Sequence, residues 1–325
     1  MKVLVTGSAG FIGFHVARAL LDKGVEVVGL DNLNDYYDVR LKSARNGILR
    51  QCRNYIFYQL DLCDYEGLAG IFRTHRIDRI CHLAAQPGVR YSVENPFVYQ
   101  KSNNEGFLNL LECARNFKVG QLVYASSSSV YGGNKSVPFS IEDRVNSPLS
   151  LYAATKIFNE LAAHAYSHLY GINSIGLRFF TVYGPWGRPD MAYFLFTKAI
   201  LEGETIKVFN QGKMKRNFTY IDDIIKGVMA SLEYDTRYEI FNLGNDRTEN
   251  LMDFISCLEK HLGKVAKKEM SPAQPGDVIE TWANIESSRT KLRYHPQTNI
   301  DDGLKHFVEW YKKSYLALPA ADKGA

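Results

Sequence analysis

The chain has 325 residues, 46% of them hydrophobic and 23% charged, and a formal net charge of +4. That length holds one large α/β domain plus a smaller lobe, and its basic residues are scattered among acids, which gives a nucleic-acid partner no block of charge to bind. Met1-Lys2 runs straight into VLVTG without a long apolar stretch, so neither a signal peptide nor a membrane span is expected, and the cytosol is the expected location.

Short apolar runs alternate with amphipathic stretches through the first half. KVLVTG, VEVVGL, YIFYQL, RICHLA, QLVYAS and NSIGLRFF read as strands, and helical patterns fall at roughly 11 to 24, 64 to 75, 95 to 117 and 150 to 170. Fully apolar strands in alternation with helices predict a parallel sheet covered on both faces, a doubly wound Rossmann α/β fold. Beyond about residue 180 the pattern loosens: YGPWGRPD is rich in turn residues, IKVFNQG and RNFTYI are short strands, and helices fall near 191 to 202, 222 to 234, 249 to 262 and 303 to 315. The expected division is a Rossmann domain over 1–178, with about 217–243 returning to its sheet, and mainly a second, smaller lobe over 179–325; the residues taken up next make the first an NAD-binding domain and leave the second to the substrate.

VLVTGSAGFIGFHVARAL is a strand, a glycine turn and a helix in immediate succession. Gly7, Gly10 and Gly13 let the backbone turn tightly and approach a pyrophosphate, whose charge meets the amides and dipole of the helix starting at Phe11-Ile12. Eighteen residues past Gly13, Asp31 ends the second strand with Asn32 beside it. A carboxylate there accepts from both ribose hydroxyls of an adenosine and repels a 2′-phosphate, which favours NAD over NADP. Asp61-Leu62, after the third strand, is placed to flank the adenine, although Asp61 serves equally well as a cap for the next helix.

In SLYAATK, Tyr152 and Lys156 stand four apart in a helical stretch and project from one face. A free phenol with a pKa of about 10 is a poor base, and a neighbouring ammonium favours its phenolate, which would make Tyr152 a usable acid/base. SSSS (126–129) begins where the strand QLVYA ends, and doubly wound sheets bind ligands at such strand ends. Arg90 in GVRYS, Arg188 in GRPD and Arg216 ahead of a strand are candidates to face anions, Arg216 by a bidentate grip on a diphosphate. Five cysteines, Cys52, Cys63, Cys81, Cys113 and Cys257, show no CxxC or His–Cys spacing, so reduced thiols are expected, with no disulfide framework and no metal.

The GxxGxxG spacing, LAAQ (83–86) and NNEGFLNLLE (103–112) resemble the extended branch of the short-chain dehydrogenase/reductase superfamily. That resemblance implies that Ala84, Ala85, Gln86 and Asn103 line the cofactor channel, and that Ser127, 25 residues before Tyr152, completes a Ser-Tyr-Lys triad. Relatives that dehydrate or decarboxylate sugar nucleotides carry acids in the serine tract, where this chain has Ser128 and Ser129. Hydroxyls are poor acids and bases at neutral pH, so the site is expected to do only hydride and proton exchange at one carbon.

Over nearly its full length, through DNLNDYYDVRLK, QPGVRYSVENP, LRFFTVYGPWGRPDMA and NQGKMKRNFTYIDD, the chain is similar to the NAD-dependent nucleotide-sugar epimerases, most of all the UDP-glucuronate 4-epimerases. This implies a bound NAD, a UDP-sugar substrate (UDP-glucuronate or UDP-galacturonate) and a homodimer built on the helices at 95–117 and 150–170. Galactose-type relatives have an Arg where QPGDV has Gln274, with Asp277 beyond it, and an Asn where this chain has Thr181, whose smaller hydroxyl leaves room for a C5 carboxylate. The alternatives are a 4-epimerase of a neutral UDP-hexose or UDP-N-acetylhexosamine, a UDP-glucuronate decarboxylase and a silent NAD-binding regulator, the last disfavoured because Tyr152 and Lys156 are both retained.

Overall fold

A computed structural model describes residues 1–272 and 280–319. The first half runs β1 (Lys2–Thr6), α1 (Phe11–Asp22), β2 (Glu26–Asp31), α2 (Val39–Leu49), β3 (Tyr55–Gln59), α3 (Tyr65–Thr74), β4 (Arg79–His82), the single turns α4 (Tyr91–Glu94) and α5 (Pro96–Tyr99), α6 (Gly106–Asn116), β5 (Gln121–Ser127), α7 (Leu151–Tyr170) and β6 (Asn173–Phe179). There follow β7 (Thr181–Tyr183), α8 (Ala192–Glu202), β8 (Thr205–Val208), β9 (Lys215–Arg216), β10 (Phe218–Tyr220), α9 (Ile221–Glu233), β11 (Tyr238–Leu243), β12 (Glu249–Asn250), α10 (Leu251–Leu262), β13 (Lys267–Met270), α11 (Glu286–Leu292) and α12 (Ile300–Trp310).

Seven strands form one sheet in the order β11-β6-β5-β4-β1-β2-β3, with every pair parallel. From β1 the chain winds outward first through β2 and β3, then back through β4, β5 and β6. Such a reversal opens a crevice at the strands' carboxyl ends, between β1 and β4. Side chains alternate across the sheet: Val3 and Val5 of β1 face the layer that includes Phe14 of α1 and Ile224 of α9, whereas Leu4 faces Phe107 and Leu110 of α6 and Ala163 of α7. Each such buried side chain is worth about 1.5–3 kcal/mol, so the sheet is a rigid floor for whatever its ends hold. Among the described residues no helix is long and apolar enough to cross a membrane.

α7 sets the chemistry. The Ser150 hydroxyl caps it by accepting from the Ala153 amide at 3.1 Å, and Gly171, at φ +80°, ends it in a left-handed turn. Ala153 and Ala163 are fully packed, so the helix lies close on β5 and β6 and presents Tyr152, Lys156 and Glu160, spaced one turn apart, toward the end of β5.

The first half departs from the periodicity in two places. No helix is expected over 39–49, yet α2 forms there, and its buried residues are Leu41, Lys42, Arg45, Asn46 and Leu49. A helix that buries polar groups carries no apolar stripe to announce it. The continuous helix expected over 95–117 is interrupted: between α5 and α6, Gln100–Glu105 is a π-helical stretch, a widened turn that carries Asn103.

Candidate active site

The crevice is walled by the carboxyl ends of the parallel strands. Gly7, at φ +71°, turns the chain out of β1 so closely against β4's exit that a Cβ would lie 2.7 Å from the Ala84 nitrogen. At Gly13 a Cβ would fall 2.0 Å from the Gly7 carbonyl oxygen, so only glycine lets α1 start this near the turn. Gly7, Gly10, Phe11, Ile12 and Gly13 all border the cleft, and the free amides and dipole of a helix head at such a place suit a group of phosphate size and charge.

Beyond the turn, Asp31 accepts from the Ala9 amide (3.1 Å) and the Leu33 amide (2.9 Å). Burial raises its pKa, and the two amides with the charges of Lys42 and Arg45 offset that only in part. Asn32 donates to Asp61 at 3.0 Å, and Asp61 also accepts from the Cys63 amide. Asp61 therefore does not cap α3; Asp64 does, accepting from the Gly67 amide at 3.0 Å. Asp31, Asn32, Asp61, Leu62, Ala84, Ala85 and Gln86 line one continuous wall. Asn103, expected in that wall, stands behind it. Its carbonyl accepts from the Gln86 amide at 2.7 Å, and its amide nitrogen donates to the Gln86 carbonyl and to Thr155, so it fixes the loop after β4 to α7.

Ser127, Tyr152 and Lys156 meet at the inner end of the cleft. Tyr152 shares a hydrogen bond with Ser127 and packs edge-on to Tyr99, with ring centroids 6.1 Å apart. Lys156 donates to the Ala125 carbonyl at 2.9 Å, and burial pushes its ammonium down to about 8, partly offset by the charge of Glu160. The phenol does not follow the expectation of a lysine-lowered pKa. Burial raises it, and the opposing pull comes from the Ser127 hydrogen bond and the charge of Arg188. In the protein alone, Tyr152 is a held proton donor.

The serine tract has an acid partner that its own sequence does not contain. Ser126 donates to Glu160 of α7 at 2.5 Å. Arg178 of β6 grips the same carboxylate through Nε (2.9 Å) and Nη2 (2.8 Å), with both side chains buried, and Arg178 also donates to Tyr131. Removing one member of such a pair costs about 3–5 kcal/mol, and while the pair stands the carboxylate is not available to a substrate. The acids that border the cleft among the described residues are Asp31 and Asp61, at the adenosine end. Ser128 and Ser129 lie in the 3-10 turn that follows β5, where the Ser129 amide donates back to Ser127 at 3.1 Å.

At the far end Arg188 borders the cleft, but its fork is already engaged. It donates to Asp190 from Nε (3.0 Å) and Nη2 (2.5 Å), while Tyr36 donates to the same carboxylate at 3.2 Å. Thr181 heads β7 between the wall residues Phe180 and Val182. Arg90 is exposed, over the ring of Phe209, and Arg216, in β9, donates to the Lys215 carbonyl. Neither is among the described residues of the cleft wall; Gln274 and Asp277 fall outside the described residues. The wall also contains Asn34, Tyr36, Tyr37, Lys42 and Met191, to which no role was assigned from sequence. The first four belong to DNLNDYYDVRLK, a polar segment too short of apolar periodicity to place, and Met191 to LRFFTVYGPWGRPDMA.

One cluster contradicts the reading that the cysteines lack a histidine at ligand spacing. Cys257 and His261 are one turn apart on α10 and come together with Asp301 within 4.8 Å. The Lys260 ammonium lies 2.9 Å from each Asp301 oxygen, so a side-chain cation already fills the electrostatic role a metal would take.

Comparison with known proteins agrees with this geometry. The NAD dependent epimerase/dehydratase family matches residues 3–244. An uncharacterized protein of Methanocaldococcus jannaschii is 54% identical over 95% of this chain and 96% of its own length. UDP-glucuronate 4-epimerase 4 of Arabidopsis thaliana is 48% identical over 97% of this chain and 76% of its own. The crystal structure of UDP-glucuronic acid 4-epimerase from Bacillus cereus in complex with UDP-glucuronic acid and NAD superposes with a TM-score of 0.90 at 38% identity, covering 96% of this chain and 99% of that one. The glycine turn, the Ser-Tyr-Lys cluster and a match that runs from β1 through β11 place this chain in the NAD dependent epimerase/dehydratase family.

Proposed function

We propose that this chain interconverts UDP-glucuronate and UDP-galacturonate at sugar C4 with a bound NAD. The observation that carries the reading is the meeting of Ser127, Tyr152 and Lys156 at the inner end of the dinucleotide cleft, while the Glu160 carboxylate that accepts from Ser126 is locked to Arg178. The fit to NAD rests on the glycine cradle, which an added Cβ would fill, and on Asp31 at the ribose position. Gly7, Gly10, Phe11, Ile12 and Gly13 would hold the pyrophosphate, Asp31 and Asn32 the ribose, Asp61 and Leu62 the adenine, and Ala84, Ala85 and Gln86 the channel toward Tyr152.

When bound, NAD⁺ supplies a hydride acceptor and donor for C4 and a positive charge that favours the phenolate. Tyr152 takes the proton of the C4 hydroxyl and later returns it, Ser127 holds the C4 oxygen, and Lys156 fixes the end of β5 through the Ala125 carbonyl. The 4-keto sugar turns about its diphosphate linkage to present its other face. Its C5 carboxylate is β to the ketone and would leave as CO₂ if the breaking bond aligned with the carbonyl π system, so it must be held out of alignment. Thr181, Ser128, Ser129 and Arg188 are assigned that task, and Arg90, Arg216, Gln274 and Asp277 the UDP side.

We assign the chain to a cytosolic homodimer of two lobes. Exposed apolar side chains on the helices around α5 and α7, with Phe97 86%, Leu161 67% and Leu169 65% accessible, support a face that a second copy covers. Incubating the protein with UDP-glucuronate and no added cofactor should give UDP-galacturonate, followed by proton NMR. A UDP-pentose as the main product, or faster conversion of UDP-glucose, would overturn the assignment. Tyr152→Phe should retain UDP binding and turn over about 10²- to 10⁴-fold more slowly.

A further inference from the structure

The turn that carries Arg188 is strained and is held from the cofactor side. Trp186 sits at φ +60°, a left-handed conformation that costs a bulky residue about 1–3 kcal/mol and persists only where its surroundings enforce it. At Gly187 a Cβ would fall 2.1 Å from the Tyr193 hydroxyl, so the turn has no slack on its inner side. Three successive carbonyls of this turn are gripped. His15 of α1 meets the Pro185 oxygen at 3.0 Å, and Arg45 of α2 donates from Nη2 to the Trp186 oxygen (2.6 Å) and the Gly187 oxygen (3.1 Å). Burial pushes the His15 pKa down to about 4, so at neutral pH the ring is uncharged and its Nε2 carries the proton given to Pro185.

The other tine of Arg45 reaches the glycine turn. Nη1 donates to the Ala9 carbonyl (2.9 Å), inside the glycine turn, and to the Tyr37 hydroxyl (2.8 Å). Arg45 is fully buried, and its partners are carbonyls and a phenol; no ion pair is made by it among the described residues. A buried cation without a contacting anion is expensive, and an apolar side chain of similar length would cost the fold less. What the guanidinium provides is reach: a planar fork spans both loops, which a point ammonium cannot do.

We propose that Arg45 is a positioning residue that couples the glycine turn to the Arg188 turn, holding the dinucleotide's seat at Ala9 and the sugar-side turn in one rigid arrangement. This rests on the function proposed above. Its consequence is reciprocal: whatever orders the glycine turn tightens the sugar-side turn, and loss of the fork loosens both.

Hydrogen exchange read by mass spectrometry tests it without substrate. In Arg45→Met, peptides covering 184–191 should exchange about tenfold faster while those of β5 and α7 keep wild-type rates. The dinucleotide retained after dialysis should fall, and KM for UDP-glucuronate should rise about tenfold with kcat within about threefold of wild type. Arg45→Lys, which keeps the charge, should show the same pattern, and Tyr37→Phe, which removes one acceptor from the fork, a weaker form of it should Arg45→Met fail to fold. A folded Arg45 variant with wild-type exchange over 184–191, or with a loosened turn but unchanged dinucleotide content and KM, overturns the proposal. Exchange and dinucleotide content do not depend on which sugar is turned over, so a wrong sugar would sink the functional reading alone.

Discussion

At the glycine-turn end the cleft wall is mostly backbone: Gly7 lies against Ala84, Gly13 against the Gly7 carbonyl, and the head of α1 faces outward. At the Arg188 end it is side chains held by other side chains, with Arg188 on Asp190, Asp190 on Tyr36, and the turn itself on His15 and Arg45. The first end fails when a methyl group is added, the second when a polar partner is taken away. A site made of backbone leaves a trace in glycine spacing, whereas one made of distant partners leaves none.

The largest effect should come from breaking the backbone end. Gly13→Ala places a Cβ 2.0 Å from the Gly7 carbonyl oxygen, which no rotamer relieves. The turn must open, and dinucleotide affinity should fall about 10- to 100-fold, measured as nucleotide released on denaturing the dialysed protein. Wild-type NAD content in this variant would show that the turn is not the seat.

At the end of β5 the same cleft holds a buried lysine whose state can be read through stability. Lys156 has a folded pKa of about 8 against an ordinary 10.5. Between those values the unfolded chain holds a proton the folded one lacks, so stability rises with pH across the window, by up to about 3 kcal/mol. Below pH 8 both states are protonated and the full cost of burying the ammonium is present. Urea unfolding of wild type and Lys156→Met from pH 7 to 10.5 isolates the effect. The difference between the two should shrink by that amount as pH rises; a constant difference would mean that the ammonium is better solvated than its burial implies.

The legibility of the chain follows the same divide. The parallel character of the sheet, though not its strand order, was readable from six apolar runs alternating with helical stretches, because strands covered by helices on both faces are apolar throughout. Tyr152 and Lys156 were readable because helical spacing alone puts them on one face. Arg45 was not: its bond to Trp186 joins positions 141 apart, the bond of His15 to Pro185 beside it joins positions 170 apart, and α2 buries Lys42, Arg45 and Asn46 where an apolar stripe would be sought. Glu160 shows how a local reading goes astray. The serine tract lacks an acid of its own, yet receives one from α7, and only the pairing with Arg178 keeps the chemical conclusion intact.

The smallest effect belongs to the side-chain end, at Thr181. The strand it heads is pinned by its own amide, which donates to the Asn217 carbonyl at 3.2 Å, so the hydroxyl can be removed without moving the backbone. If that hydroxyl holds the C5 carboxylate out of line with the ketone, Thr181→Ala lets the carboxylate sample the aligned geometry in which CO₂ departs. A lost hydrogen bond of about 1 kcal/mol changes the partition between return and decarboxylation roughly fivefold. The ratio of UDP-pentose to UDP-galacturonate, read in one proton NMR time course, should rise by that factor while dinucleotide content stays constant. An unchanged ratio would take the task from the head of β7 and leave it to the hydroxyls of Ser128 and Ser129 and to the Arg188 turn.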